Sequence, residues 1–109
     1  MIKSLINRAG PEHTILELDG LFDRNTAHKV RKDSLRLAKK QGPHKLEIDL
    51  TNARCTDTSS VAVLVEVLNV LRNQGGRLKI TGIDDNTARM ISLSQLDEIF
   101  EDALVAEAK

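Results

Sequence analysis

Aromatic side chains are nearly absent from this chain: two Phe and no Tyr or Trp occur in 109 residues. The core must therefore be aliphatic, and little is available to stack on nucleobases or sugars. Cysteine is scarcer still. Cys55 stands alone, which excludes a disulfide framework and a cysteine-based metal site. His13, His28 and His44 lack ligand spacing and read as surface residues, so no metal or cofactor is expected. Net charge is also missing: sixteen Lys and Arg balance sixteen Asp and Glu, which argues against general affinity for nucleic acid or an anionic membrane. No stretch reaches the roughly 18 apolar residues of a membrane span, and the N-terminus has no signal-peptide core. The expectation is a cytoplasmic protein without membrane insertion.

The zero net charge hides an asymmetry. Between Arg24 and Lys45 there are eight Lys or Arg and one acid, Asp33; from Asp84 onward seven acids face Arg89 and Lys109. A solvated helix face and a solvated tail account for this, and a bipolar surface that orients a charged partner is the sharper alternative.

The length suits one domain over 1–109 with a modest core. Ile2 to Ile6 suits an edge strand, Gly10-Pro11 a hairpin turn, and Thr14 to Leu18 a second, antiparallel strand ended by Gly20. Asp23 or Asn25 can cap a helix that runs to about Gln41 and stops at Gly42-Pro43. Its apolar stripe holds Ala27, Val30, Leu37 and Ala38, with Ser34 among them. Leu46 to Leu50 is the central-strand candidate.

Ser59 to Gln74 is ambiguous locally, because Val61, Val63, Val65, Val67 and Val70 favour a strand. Length decides for a helix: about fifteen uninterrupted residues ending at Gly75 exceed a typical strand. Its apolar arc covers roughly 220°, more than one sheet surface can bury. Either it also packs against a neighbouring helix, which is the favoured reading, or Val63 and Val70 lie in a protein-contact surface. Arg77 to Thr81 is a further strand. Asp84 or Asp85 caps a short helix to about Leu93, Leu96, Ile99 and Phe100 form a last strand or docking turn, and Glu101 to Ala108 reads as an acidic terminal helix. The order β-β-α-β-α-β-α needs right-handed crossovers and implies an α/β fold, a mixed sheet with helices mainly on one side.

The most pointed chemistry lies where the Leu46–Leu50 strand runs, through a polar turn, into the long apolar segment. Asp57 and three consecutive hydroxyls, Thr58, Ser59 and Ser60, stand there. A helix start carries unpaired N–H groups and partial positive charge, so these residues suit a plain helix cap. They equally suit an exposed hydroxyl open to modification. An enzyme would need a base or a convergent metal set. No His lies near Thr58 or Ser59 in sequence, and Cys55 has no obvious activating partner, so none is expected.

These segments together resemble the STAS domain of bacterial anti-sigma factor antagonists. Leu18-Asp19-Gly20-Leu21-Phe22-Asp23 is similar to that family's L-x-G-x-L-D segment, and Asn25-Thr26-Ala27 to the start of its first helix. Leu46 to Leu50 with Asp57-Thr58-Ser59 is similar to its strand and D-S/T-S-G signature, and Gly75-Gly76 with Leu93, Leu96, Ile99 and Phe100 completes the pattern. The resemblance implies a single STAS domain with a mixed four- to five-stranded sheet. It also implies partner switching, in which an anti-sigma factor with serine/threonine kinase activity binds the unmodified protein and phosphorylates Thr58. A PP2C-type phosphatase resets the switch. Ser60 stands where the family has Gly, which leaves a third hydroxyl and keeps both Thr58 and Ser59 as acceptors. Asp23, Asp57, Thr58, Ser59, Ser60, Val61 and Val63 are the expected partner-binding residues of a monomer or weak dimer. The segments also resemble the STAS subunit of a lipid-transport ABC complex, which supports an ATPase subunit and needs no phosphorylation.

Overall fold

The computed structural model describes residues 1–39, 44–94, 96, 100 and 103. In order these form β1 (Ile2–Gly10), β2 (His13–Phe22), α1 (Ala27–Ala38), β3 (Lys45–Cys55), α2 (Ser59–Asn73), β4 (Arg77–Thr81) and α3 (Asp85–Leu93). The described strands make one four-stranded mixed sheet in the order β1-β2-β3-β4. β1 and β2 are antiparallel, and β2, β3 and β4 run parallel, as the helical crossovers α1 and α2 require.

Alternation along the strands puts one face of the sheet in the core. Leu16, Leu18, Leu46, Ile48, Leu50, Leu78 and Ile80 are buried, while their neighbours Glu17, Glu47, Asp49 and Lys79 stay partly exposed. Leu16, Ile48 and Ile80 lie opposite one another through the register, and each such burial contributes about 1.5–3 kcal/mol. Ser4 pairs with Leu18 and its hydroxyl donates to Asp33 of α1 at 2.9 Å, which places α1 over that same face.

Packing between α1 and α2 settles the wide apolar arc. Val61, Val63, Leu64, Val67, Leu68 and Leu71 are all buried, and Arg31 of α1 makes a two-pronged bond to Glu66, Nε to Oε1 at 2.7 Å and Nη2 to Oε2 at 2.6 Å. At the far end Gln74 Nε2 donates to the Ala38 carbonyl at 2.6 Å. Gly75 stops α2 with φ +75°, and the next N–H, of Gly76, returns to the Leu71 carbonyl at 2.8 Å.

Several boundaries differ from expectation. α1 starts after Thr26 rather than Asp23 or Asn25, because the Asp23 carboxylate is spent closing the preceding turn. Gln41 and Gly42-Pro43 lie outside the described residues. β3 continues to Cys55 instead of stopping at Leu50: a register shift between Glu17 and Asp19 lets Asp19–Phe22 of β2 hold Asn52–Cys55 in a ladder. Gly20 (φ +122°) follows that shift, and any Cβ there would strike the Met1 carbonyl. Phe100 and Ala103 are buried, and the Ile80 N–H donates to the Ala103 carbonyl at 2.8 Å, so the chain docks along the outer edge of β4. Ile99 and the expected terminal helix over 101–108 lie outside the described residues.

Candidate functional site

The site forms where the parallel strands β2 and β3 end and α1, α2 and α3 begin, the position at which open α/β sheets leave a crevice. Phe22 and Cys55, the last residues of the two strands, are partners in the ladder and buried at 0% and 2% exposure. The Thr56 N–H donates to the Phe22 carbonyl at 3.3 Å and carries the pairing one step further. From α3, Asn86 Nδ2 donates to the Cys55 carbonyl at 2.8 Å. Beyond Cys55, Thr56 and Thr58 are exposed, Asp57 and Ser59 are half-buried, and Ser60 returns to the core.

Asp57 ties this end together. Its Oδ1 accepts the Ser59 N–H at 3.0 Å, and its Oδ2 accepts the Arg24 N–H at 3.1 Å from the turn between β2 and α1. Partial desolvation raises the Asp57 carboxyl, but the Arg24 and Ser59 donors and the Arg24 charge outweigh it and hold it below the usual carboxylate range. Across the gap, Asp23 organises its own turn: Oδ1 accepts the N–H groups of Asn25 at 2.9 Å and Thr26 at 3.2 Å. The Thr26 hydroxyl donates to the Leu21 carbonyl at 2.7 Å and accepts the Asp23 N–H at 3.0 Å. Asp23 is half-buried and engaged within the chain.

The three hydroxyls separate into different environments. Thr58 occupies the N-cap position of α2 with helical backbone angles (φ −72°, ψ −6°), and its side chain makes no capping bond; Asp57 accepts the first N–H of the helix, that of Ser59. Thr58 is exposed, Ser59 is half-buried, and Ser60 is fully buried with its hydroxyl donating to the Asp57 carbonyl at 2.9 Å. Each helical residue turns about 100°, so neighbouring hydroxyls cannot share an environment.

That rotation corrects part of the expected partner surface. Ser60, Val61 and Val63 have 0%, 2% and 5% exposure and belong to the core beneath α2, so they are not available to a partner. The accessible part consists of Asp23, Asp57, Thr58 and Ser59, joined by Arg24 and by Ala62 one turn along α2. In the sequence Arg24 was read only as the start of the basic run and not as part of this site. The available signal was its place directly after Asp23, in the turn that a parallel β2–β3 pairing brings beside residue 57.

The arrangement offers an exposed hydroxyl beside a carboxylate. His13 is engaged with Glu47 at 3.2 Å at the start of β2, away from the hydroxyls. Burial pushes the Cys55 thiol up, so it is held as the inert acid rather than the reactive thiolate. A cavity of about 570 Å³ lined by Lys45, Arg72, Arg77 and Lys79 opens at the other end of the sheet and includes none of the hydroxyl residues.

The STAS domain family profile matches residues 5–108. The chain belongs to the STAS domain family. The anti-sigma-B factor antagonist of Listeria monocytogenes is 28% identical over 96 residues, covering 88% of this chain and 83% of that protein. An anti-sigma factor antagonist from Mycobacterium paratuberculosis superposes with TM-score 0.81 at 20% identity, over 98% of this chain and 87% of its own. The phosphorylated form of the Bacillus cell fate determinant SpoIIAA superposes with TM-score 0.73 at 12% identity, over 98% and 93%. At such identities the two structures speak to the STAS fold alone.

Proposed function

We propose that this STAS domain is an anti-sigma factor antagonist of a partner-switching pathway, with Thr58 as its phosphoacceptor. The observation that carries the reading is the exposed Thr58 hydroxyl, free of any capping bond, at the head of α2. Ser59 is half-buried with its N–H committed to Asp57, and Ser60 is buried, which favours Thr58 among the three. The curated relatives named anti-sigma-B factor antagonists support the role. In this reading the unmodified face of Thr58, Asp57 and Asp23 binds an anti-sigma factor that is also a serine/threonine kinase, in the cytoplasm. Phosphorylation releases it, and a PP2C-type phosphatase restores binding.

The physical basis of release lies at the surface. A phosphate adds about −1.5 to −2 charge. The α2 N-terminus favours that charge by up to about 1 kcal/mol, and adjacent Asp57 opposes it, so the fold is left nearly unchanged. Pressed into an interface with no added cation, the dianion costs several kcal/mol. A loss of about 3 kcal/mol is more than a hundredfold in affinity.

The test compares Thr58→Ala and Thr58→Asp for melting temperature and for binding to the cognate kinase. Both should melt close to the wild type, Thr58→Asp should lose at least a hundredfold in affinity, and kinase with ATP should modify neither. Unfolding of Thr58→Asp overturns the surface mechanism. Full modification of both variants removes Thr58 as the acceptor. Recovery of an ABC ATPase subunit, indifferent to charge at position 58, replaces the reading with the transport one.

A further inference from the structure

The turn that meets Asp57 presents a cation beside the proposed acceptor. The Arg24 N–H is bonded to Asp57 Oδ2 at 3.1 Å although 33 positions separate the two in sequence, and Asp57 directly precedes Thr58. This main-chain bond holds the origin of the Arg24 side chain next to Thr58 without engaging the guanidinium itself. Along α1, Lys29 and Arg36 pair with Asp33 and Arg31 pairs with Glu66, while Lys32 is exposed in the middle of the helix. Arg24 is exposed, and its guanidinium enters no ion pair among the described residues. Its charge is already felt at Asp57. The charges on the elements that meet here are mixed: Asp57 at the head of α2, Asp23 in the turn itself, Asp84 and Asp85 at the start of α3, and exposed Arg54 near the end of β3, opposite Leu21 in the ladder.

We propose that Arg24 is the intramolecular ligand of the phosphate on Thr58, its planar fork closing on two phosphate oxygens once the residue is modified. This deepens the reading of Thr58 as phosphoacceptor and rests on it. The consequence is a switch with two components. Unmodified protein displays a free cation next to a neutral hydroxyl; modified protein carries the dianion and has drawn the cation back onto it. A partner that reads Arg24 with a carboxylate of its own therefore loses that contact at the same step at which it meets the phosphate. Arg24 is a positioning residue here and takes no part in phosphoryl transfer.

The test uses full-length protein with phosphothreonine installed at position 58 by semisynthesis, so that no kinase is involved. The second ionisation of the phosphate is followed by phosphorus NMR in the wild type, Arg24→Ala and Arg24→Lys. Both substitutions keep the backbone N–H bonded to Asp57, which preserves the turn. From an ordinary value near 6, the wild-type phosphate should titrate about half a pH unit below that of Arg24→Ala, with Arg24→Lys between them. Identical titrations in all three proteins overturn the role of Arg24. In a parallel incubation of unmodified protein with its cognate kinase, absence of phosphate on Thr58 strikes the acceptor assignment instead and leaves the Arg24 titration result standing.

Discussion

Two helix starts in this molecule are built from the same materials and do different work. At α3, Asp84 occupies the N-cap with extended backbone angles (φ −90°, ψ 174°), and its carboxylate accepts the Thr87 N–H at 2.8 Å. Thr87 is buried, while Asp84 and Asp85 are exposed. At α2 the carboxylate has moved back by one residue. Asp57 accepts the Ser59 N–H, and the N-cap residue, Thr58, is left in helical conformation with its hydroxyl facing solvent. One acid caps from the N-cap position itself; the other caps from the residue before it. The lesson is that a side chain in the N-cap position can be released from capping when its predecessor supplies the acceptor. A group added there then changes the surface without uncapping the helix.

The sharpest way to break that contrast is to move the charge by two residues. Ser60→Asp would bury an unpaired carboxylate in a fully enclosed position, and a loss of about 3 kcal/mol or more is expected, measured by denaturant unfolding. A Ser60→Asp protein as stable as Thr58→Asp would show that the head of α2 does not sort its hydroxyls as described. Next in size is the pair of cap deletions. Asp84→Ala should cost about 1 kcal/mol, whereas Thr58→Ala should stay within about 0.5 kcal/mol of the wild type, since only the first removes a capping bond. Equal losses would erase the distinction between the two ends.

The smallest effect is the acid response of the α2 start. The Asp57 carboxyl is held below its usual range in the folded protein, so its contribution is fully present above the unfolded value near 4 and is lost as pH falls through the lower folded value. Amide exchange at Ser59 and Arg24 should therefore accelerate in that window. Asp57→Asn should make the exchange of both amides insensitive to pH across it, after correction for intrinsic rates. An unchanged acid response in Asp57→Asn would assign the stabilising carboxylate elsewhere.

Much of the fold was legible because periodicity and length speak directly. The order of the seven elements, the bounds of β4 and the helical state of α2 all followed, the last despite five β-branched valines, because about fifteen uninterrupted residues suit a helix better than a strand. The second half of β3 did not. Thr51, Asn52 and Arg54 look like a turn, and only the shifted ladder with β2 keeps them extended. The partner surface was overdrawn for a related reason. Val61 and Val63 were counted in the partner surface, with the wide apolar arc leaving a contact surface at Val63 open, whereas both belong to the buried core cluster. Asp23 was read as a cap, and its carboxylate instead closes the turn in front of Thr26.

By itself the amino-acid sequence determined the layered α/β architecture, the aliphatic core and the segment in which the polar chemistry gathers. Apolar spacing and turn residues act locally and are written along the chain. Tertiary structure alone decided which hydroxyl is offered and that the Arg24 N–H meets Asp57, the residue before Thr58. Three adjacent hydroxyls are nearly alike as chemical groups and differ only in the direction that about 100° of helical turn per residue gives them. Residues 24 and 57 become neighbours only because β2 and β3 run parallel and end together.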